Sequence, residues 1–448
     1  VSISPLFASN IKEDDFPFVH INRSNSNISY DGISRICQDS RGFLWIGTFK
    51  GLNRFDGDSF TVYDKDDFGV ASDFIHSIEE DSEGNMWVGT DRGVVIYDYR
   101  LDTFIPFTTV SNIGTVIDNK VNNITSADDK VWMTVNHQGL FSYDVKTGEL
   151  INYFVENGEQ VLPQGIRRFI IDNNGDFWMG LYYTDFYKAS SSLDGLHELS
   201  LLGGSFKDDN VEGLALSSDN SHIIYAVTVK KGLCRIDTKQ GTVTTLLSFP
   251  DDAVPLELCL DPGKCMWIPT TKGLYRYDVT DGSHIVLKED KKNRFSLSDN
   301  YVFTVFVDKV GGVWAGTKDG GLNYSGPEQR AFKQYHHCGN HTLENSIVSG
   351  FADDGHGNIW ITTEKEGLFI YDIEEEKLSG YEGYDFKETI CSPCFYDGDL
   401  WIGSLKGLIR LDPAGDTGRL QKLRSRTTGV WWFTGPTQGI FMWAPPSV

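Results

Sequence analysis

The sequence predicts an all-β protein: a seven-bladed β-propeller followed by an incomplete second β-propeller. Three observations carry this reading. A phrase centred on one aromatic residue recurs along the chain, its anchors 41 to 47 residues apart. Each copy divides into four short β segments, and a repeat of that length and content marks a propeller blade. The 46 glycines supply the tight turns such a fold needs.

The phrase is clearest in residues 43–56, FLWIGTFKGLNRFD. Trp45, Ile46, Gly47 and Thr48 end one strand, and Gly51 and Leu52 start the next, which closes at Asp56. The anchors of the successive copies are Trp45, Trp87, Trp132, Trp178, Tyr225, Trp267, Trp314, Trp360 and Trp401. The fourth copy has lost its second-half glycine in the stretch LYYTDFYK, and the fifth has tyrosine in place of tryptophan. A large ring at one fixed strand position in copy after copy is expected as a wedge buried between neighbouring blades, not as a sugar platform.

Within each copy the first strand is apolar, as in residues 33–39, 75–81, 121–127 and 301–308. An Asp-x-x-Gly turn follows at Asp39 to Gly42, Asp81 to Gly84 and Asp172 to Gly175. There aspartate caps its own backbone and glycine supplies positive φ. The second strand carries the tryptophan, the third begins at Gly-Leu, and the fourth is the aromatic segment. Such a sheet cannot bury both faces alone, and radial stacking buries them against two neighbours.

The expected boundaries are a lead-in at residues 1–15, a propeller over 16–330, and the start of a second propeller at 331–448. Residues 16–22 alternate as a strand without a partner in their own repeat. They are expected to supply the fourth strand of the seventh blade beside Gly321–Ser325, joining the ends of the ring and removing its open edges. The segment 331–335 would do the same for the second ring. Copies eight and nine begin that ring and a tenth is faint at 430–443, so the second ring is expected to be truncated or diverged.

Composition narrows function. The net charge is −23, which argues against general nucleic-acid binding, since that needs basic surface. No apolar run is long enough to span a membrane. Seven cysteines, an odd and scattered set, do not form a disulfide framework; Cys391 and Cys394 make a lone CxxC without the second pair that zinc wants. No G-x-S-x-G, H-E-x-x-H, phosphate loop or dinucleotide fingerprint occurs. His336 and His337 adjoin but fall at an outer-strand position. No catalytic residue, metal or cofactor is expected.

The pattern I-x-x-I-x-x-D-x-x-G-x-L-W-I-G-T-x-x-G-L-x-x-Y/F-D resembles the two-component regulator propeller repeat. Ile33, Ile36, Asp39, Gly42, Leu44, Trp45, Gly47, Thr48, Gly51, Leu52 and Asp56 carry it in the first copy, and Ile75, Ile78, Asp81, Gly84, Trp87, Gly89, Thr90, Gly93 and Asp98 in the second. The resemblance covers roughly residues 16–412. It implies the periplasmic sensor of a hybrid two-component histidine kinase and response regulator of Bacteroides type. Such a sensor answers to glycans and acts on polysaccharide-utilisation genes. The expected partner is an oligosaccharide, with a homodimer implied by the family and membrane attachment only through segments downstream. Alternatives are a propeller glycoside hydrolase or polysaccharide lyase, and a protein-interaction scaffold.

One repeated feature suggests a ligand face. The crossing from second to third strand carries a basic residue in most copies: Lys50, Arg92, Lys231, Lys272 and Lys318, then Lys365 and Lys406. These crossings share one face of a propeller. His137, Gln138, Tyr182 and Tyr183 occupy the copies lacking the match. The expected ligand site is therefore Lys50, Arg92, His137, Tyr182, Tyr183, Lys231, Lys272 and Lys318, suited to a sugar chain by stacking and charged hydrogen bonds. The plainer alternative is that these lysines are solvated hairpin residues.

Overall fold

In the computed structural model, the structure describes residues 15–412 apart from 69–71, 154, 157–158, 161–164, 173, 182–185, 190–195, 199–205, 207, 263–264, 331–336, 339–340, 343–346, 383–385, 387–389 and 405–406. The chain divides into two compact units, Val1–Phe332 and Lys333–Val448. Among the described residues the regular secondary structure is almost entirely strand, the exceptions being two four-residue helices, Lys65–Phe68 and Pro327–Arg330. Among these residues, no helix is long and apolar enough to cross a membrane.

The first unit holds seven four-stranded antiparallel sheets. The first sheet is Ile33–Gln38, Leu44–Thr48, Gly51–Phe55 and Phe60–Tyr63. The second to sixth sheets begin at Ile75–Glu80, Val121–Ala127, Ile166–Ile171, Val211–Leu216 and Cys259–Leu260. The seventh is Val302–Val307, Val313–Thr317 and Leu322–Ser325, completed by Val19–Ile21 from the start of the chain. There Val19 lies opposite Tyr324 and Ile21 opposite Leu322.

The strand at the chain start is shorter than the alternation of residues 16–22 suggests. Pro17 has no N–H to give to a ladder. Phe16 and Phe18 instead enter the core: Phe16 meets the Trp267 ring edge-on at 5.3 Å, and the Phe18 amide donates to the Phe295 carbonyl at 2.7 Å.

The aromatic anchors explain why the sheets assemble. Trp45 packs with Ile75, Ile78, Met86 and Val88 of the second sheet. Trp87 packs on the third, Trp132 on the fourth, Trp178 on the fifth, Tyr225 on the sixth and Trp267 on the seventh. Trp314 of the seventh sheet packs on Ile33, Ile36, Leu44 and Ile46 of the first. The same wedge thus runs around a closed ring. Each ring is buried, where truncation of a tryptophan costs about 3–5 kcal/mol.

Five of the seven wedges are held by an aspartate. The indole N–H groups of Trp45, Trp87, Trp178, Trp267 and Trp314 donate to Asp39, Asp81, Asp172, Asp261 and Asp308 at 2.8, 2.8, 2.9, 3.0 and 2.8 Å. The other carboxylate oxygen takes amides of the turn, as Asp81 does from Asn85 at 2.9 Å. The Asp-x-x-Gly motif is therefore a turn and a tryptophan clamp together.

In four of the sheets the glycine two residues after the anchor has a second role. A Cβ on Gly47 would come within 2.6 Å of Ile75 Cγ2, and one on Gly316 within 2.6 Å of Ile33 Cγ2. Gly89 faces Val121 and Gly180 faces Val211 in the same way. At these four junctions the β-branched residue opening the inner strand fits the space its neighbour's glycine leaves.

The second unit repeats the scheme. Its four-stranded sheet comprises Val348–Asp353, Asn358–Thr363, Leu368–Asp372 and Lys377–Gly380; a three-stranded sheet comprises Ile390–Tyr396, Asp399–Ser404 and Gly407–Leu411. Trp360 packs on Ile390, Leu400, Ile402 and Ile409 of the latter. Segments 331–335 and 430–443 lie outside the described residues.

Candidate ligand site at the end of the central channel

The inner strands of the seven sheets contact one another in sequence, and the seventh returns to the first, so they enclose an axis. Their ends nearest the crossing turns are irregular. Register shifts fall between Ile33 and Arg35, Ile75 and Ser77, Val121 and Asn123, Ile166 and Arg168, Val211 and Gly213, and Val302 and Thr304. In the sixth sheet, Pro255 bridges Thr270 alone and the ladder resumes at Cys259. A bulge adds a residue and re-aims side chains, and bulges concentrate beside functional sites. The residues inside these bulges are Ser34, His76, Asn122, Arg167, Glu212 and Phe303. They differ in every copy, unlike the rest of the repeat.

The crossing turns sit directly beside the bulges, because Ile33 lies opposite Thr48 and Val302 opposite Thr317. The two-residue turns of the first, second and sixth sheets are built the same way. The hydroxyl of Thr48 donates to the Gly51 carbonyl at 2.9 Å and accepts the Lys50 amide at 3.0 Å. Thr90 and Thr270 treat Arg92 and Lys272 alike. The first residue of a turn can reach the neighbouring inner strand, as Phe49 and Asp91 do, whereas the second is left in solvent.

This geometry sorts the expected site residues. Lys50, Arg92, Lys231 and Lys272 are exposed, and Lys272 lies 3.4 Å from Asp252. His137 is exposed in a left-handed turn, φ 60°. Lys318 directly follows Thr317, so it occupies the position of Phe49 rather than of Lys50, and its ammonium lies 5.4 Å from the centre of the Tyr301 ring. Tyr182, Tyr183 and Lys406 lie outside the described residues.

Two groups of side chains that the repeat does not encode meet at this end. One is an aromatic shelf from the first, second and seventh sheets. Phe49 stacks on Phe74 at 4.8 Å and meets Phe303 edge-on at 5.1 Å. Phe303 lies 4.7 Å from Tyr301, and Phe74 stacks on the His76 imidazole at 4.5 Å. Tyr30 borders Phe49 at 6.4 Å. These rings are only half-buried, unlike the tryptophan wedges.

The other is a charged cluster. His76 Nε2 lies 2.6 Å from Asp91 Oδ1. Burial first, then the Lys120 ammonium, pull the imidazole down to about 4 against the raising effect of Asp91. Neutral His76 therefore donates to Asp91. Arg167 pairs with Glu212, whose carboxyl is raised by burial against the pull of Arg167 and Arg168. Arg168 Nε donates to the Glu212 carbonyl at 2.9 Å, and burial followed by the field of Arg35 lowers its guanidinium to about 10. Lys120 is likewise lowered by burial; Asp91 opposes this, and Arg167, Arg35 and Arg168 add to it. Arg35 stands on the first sheet and Arg168 on the fourth, so their mutual influence acts across the channel. Among the described residues, no three His, Cys, Asp or Glu side chains converge as a metal-ligand set.

The fold and this ring of inner strands define a β-propeller built from a repeated four-stranded unit. The description "Two component regulator propeller" matches residues 27–50, 69–92 and 296–319. Those three segments resemble the repeat of that family, and they contribute Tyr30, Arg35, Phe49, Phe74, His76, Tyr301 and Phe303 to the site. No curated protein sequence matches significantly. Among solved structures, the chain is similar to the extracellular domain assigned to a hybrid two component system, BT3049, from B. thetaiotaomicron. The TM-score is 0.66 at 19% identity, over 96% of this chain and 65% of that one. A second extracellular domain from the same organism, BT4673, gives 0.58 at 19% identity, over 91% of this chain and 61% of that one. Virginiamycin B lyase from Staphylococcus aureus gives 0.52 at 14% identity, over 69% of this chain and 99% of that one. At these identities the likeness is one of fold. The chain spans less than two thirds of either extracellular domain.

Proposed function

We propose that this chain is the ligand-sensing, extracytoplasmic part of a hybrid two-component regulator, and that it binds an oligosaccharide without turning it over. The observation that carries the reading is the half-buried shelf of Phe49, Phe74, Tyr301 and Phe303 at the mouth of the channel. Flat apolar rings left accessible beside hydrogen-bonding groups suit the faces and hydroxyls of sugar rings. The regulator repeats and the fold likeness to extracellular domains of two-component systems support the same reading.

Binding transmits signal only if the ligand prefers one of two arrangements of the protein, and a homodimer joined to downstream kinase segments would supply them. A non-catalytic role agrees with the carboxylates at the mouth. Asp91 is held by His76 and Glu212 by Arg167, so neither is placed as one of a pair for glycoside hydrolysis.

Calorimetric titration with neutral and acidic oligosaccharides tests this. The expected result is saturable heat with one class, weakened by Phe303→Ala. Heat that continues after each injection would mean turnover and replace the sensor with an enzyme. Silence across the panel would remove the glycan.

A further inference from the structure

The reading above leaves the class of saccharide open, and the charged cluster bears on it. The protein carries a net charge of −23, yet four cations gather at the end of its channel: Arg35, Lys120, Arg167 and Arg168. Arg167 is answered by Glu212. Among the described residues, Arg35, Lys120 and Arg168 form no ion pair, although Asp91 acts on Lys120, and Glu257 and Glu212 on Arg168, from nearby.

Their attachment to the scaffold is by backbone. Arg35 Nη1 donates to the Ser34 carbonyl at 2.7 Å, and Arg168 Nε to the Glu212 carbonyl at 2.9 Å. These bonds, with a longer one from Arg168 Nη1 to the Arg167 carbonyl at 3.5 Å, fix each guanidinium beside a bulge and leave the Nη2 donors unengaged among the described residues. The cations repel one another in partly buried surroundings, an arrangement that costs stability unless an anion enters. The cluster is also continuous with the shelf, because His76 stacks on Phe74 and neighbours Lys120 and Arg35.

Resting on the sensor reading, we infer that the ligand is an acidic oligosaccharide of the uronate class. Its carboxylate would be taken by Arg35, Lys120 and Arg168, and an adjoining sugar face would rest on Phe49 and Phe303. A planar carboxylate matches the parallel donors of a guanidinium, which favours a uronate over a sulfate ester. Neutralising the cluster would also lift the repulsion across the channel. Binding is therefore expected to stiffen the ring between its first and fourth sheets.

The test is titration of the whole chain with oligomers of galacturonate and of glucuronate, their methyl esters, a sulfated galactan oligomer and a neutral galactan oligomer. Lys120→Gln and Arg35→Gln are compared with wild type and with the control Lys239→Gln, exposed in the turn after Asp237, after thermal melts establish that each is folded. The expected result is that one uronate oligomer binds and its methyl ester binds at least tenfold more weakly. Lys120→Gln and Arg35→Gln should each lose tenfold or more, while Lys239→Gln binds as wild type. An ester as tight as its acid, a sulfated oligomer as sole binder, or folded Lys120→Gln and Arg35→Gln variants of unchanged affinity would overturn the inference. Binding of the neutral oligomer alone would overturn the uronate class and leave the sensor reading in place. Binding of none would overturn both.

Discussion

Asp81 and Trp87 are joined by a 2.8 Å hydrogen bond from the indole Nε1–H to carboxylate Oδ2, with both side chains buried between the second and third sheets. The same carboxylate caps its turn through the amides of Glu83 and Asn85 at 3.0 and 2.9 Å. One side chain thus fixes both a hairpin and the wedge that joins two sheets. Asp81→Ala is expected to destabilise the protein by about 2–4 kcal/mol, because it leaves a buried indole N–H and two turn amides unanswered. Chemical denaturation would measure this. A double-mutant cycle with Trp87→Phe should return a coupling of about 1–2 kcal/mol.

Ring closure depends on Gly316. A methyl group there would lie 2.6 Å from Ile33 Cγ2 and 2.8 Å from Thr304 Cγ2. Gly316→Ala is expected to cost about 1–3 kcal/mol by overpacking. Adding Ile33→Ala should bring back part of the loss from Gly316→Ala, although Ile33→Ala alone destabilises. Strict additivity of the two in thermal melts would contradict the direct contact.

Glu79 sets a pH dependence. It is half-buried on the second inner strand, accepts the Ser126 amide at 3.0 Å, and lies near Glu80 and Cys37. Burial, with Glu80 adding to it, raises its carboxyl from an ordinary 4.5 to about 7. The folded state then holds a proton that the unfolded state has released. The stability this group contributes is full below about pH 4.5 and is lost as pH rises through about 7. Glu79→Gln keeps an acceptor for Ser126 without the charge. Relative to wild type, it should gain about 1–3 kcal/mol at pH 8 and little at pH 4. Denaturation at the two pH values decides it.

The shelf should be separable from the core. Phe303 is half-buried and meets other shelf rings, whereas Trp314 is a wedge. Phe303→Ala is expected to weaken saccharide binding about tenfold or more, which corresponds to about 1.4 kcal/mol. It should lower thermal stability far less than Trp314→Ala. Equal effects of the two substitutions on melting would show that Phe303 is core.

The sequence by itself determined the repeat and what each part of it does in packing. The wedge tryptophans, the turn aspartates and the glycines stand at fixed spacings because every sheet meets its neighbour in the same way. Tryptophan as a buried wedge was legible for that reason; its clamp to the aspartate was not, since the spacing of six residues reads equally well as turn chemistry. Only the tertiary structure decided the candidate site. Ser34, His76, Asn122, Arg167, Glu212 and Phe303 share a bulge position but no residue type, so no periodicity marks them. Lys50, Arg92 and Lys272 recur, and recur in solvent, because they are the second residue of a repeated turn; Lys231 is the third residue of a longer one and is exposed as well. Arg35 and Arg168 are 133 positions apart and belong to different sheets. Closing the ring is what brings them to face one axis, and a charge acts on another through distance in space, not along the chain.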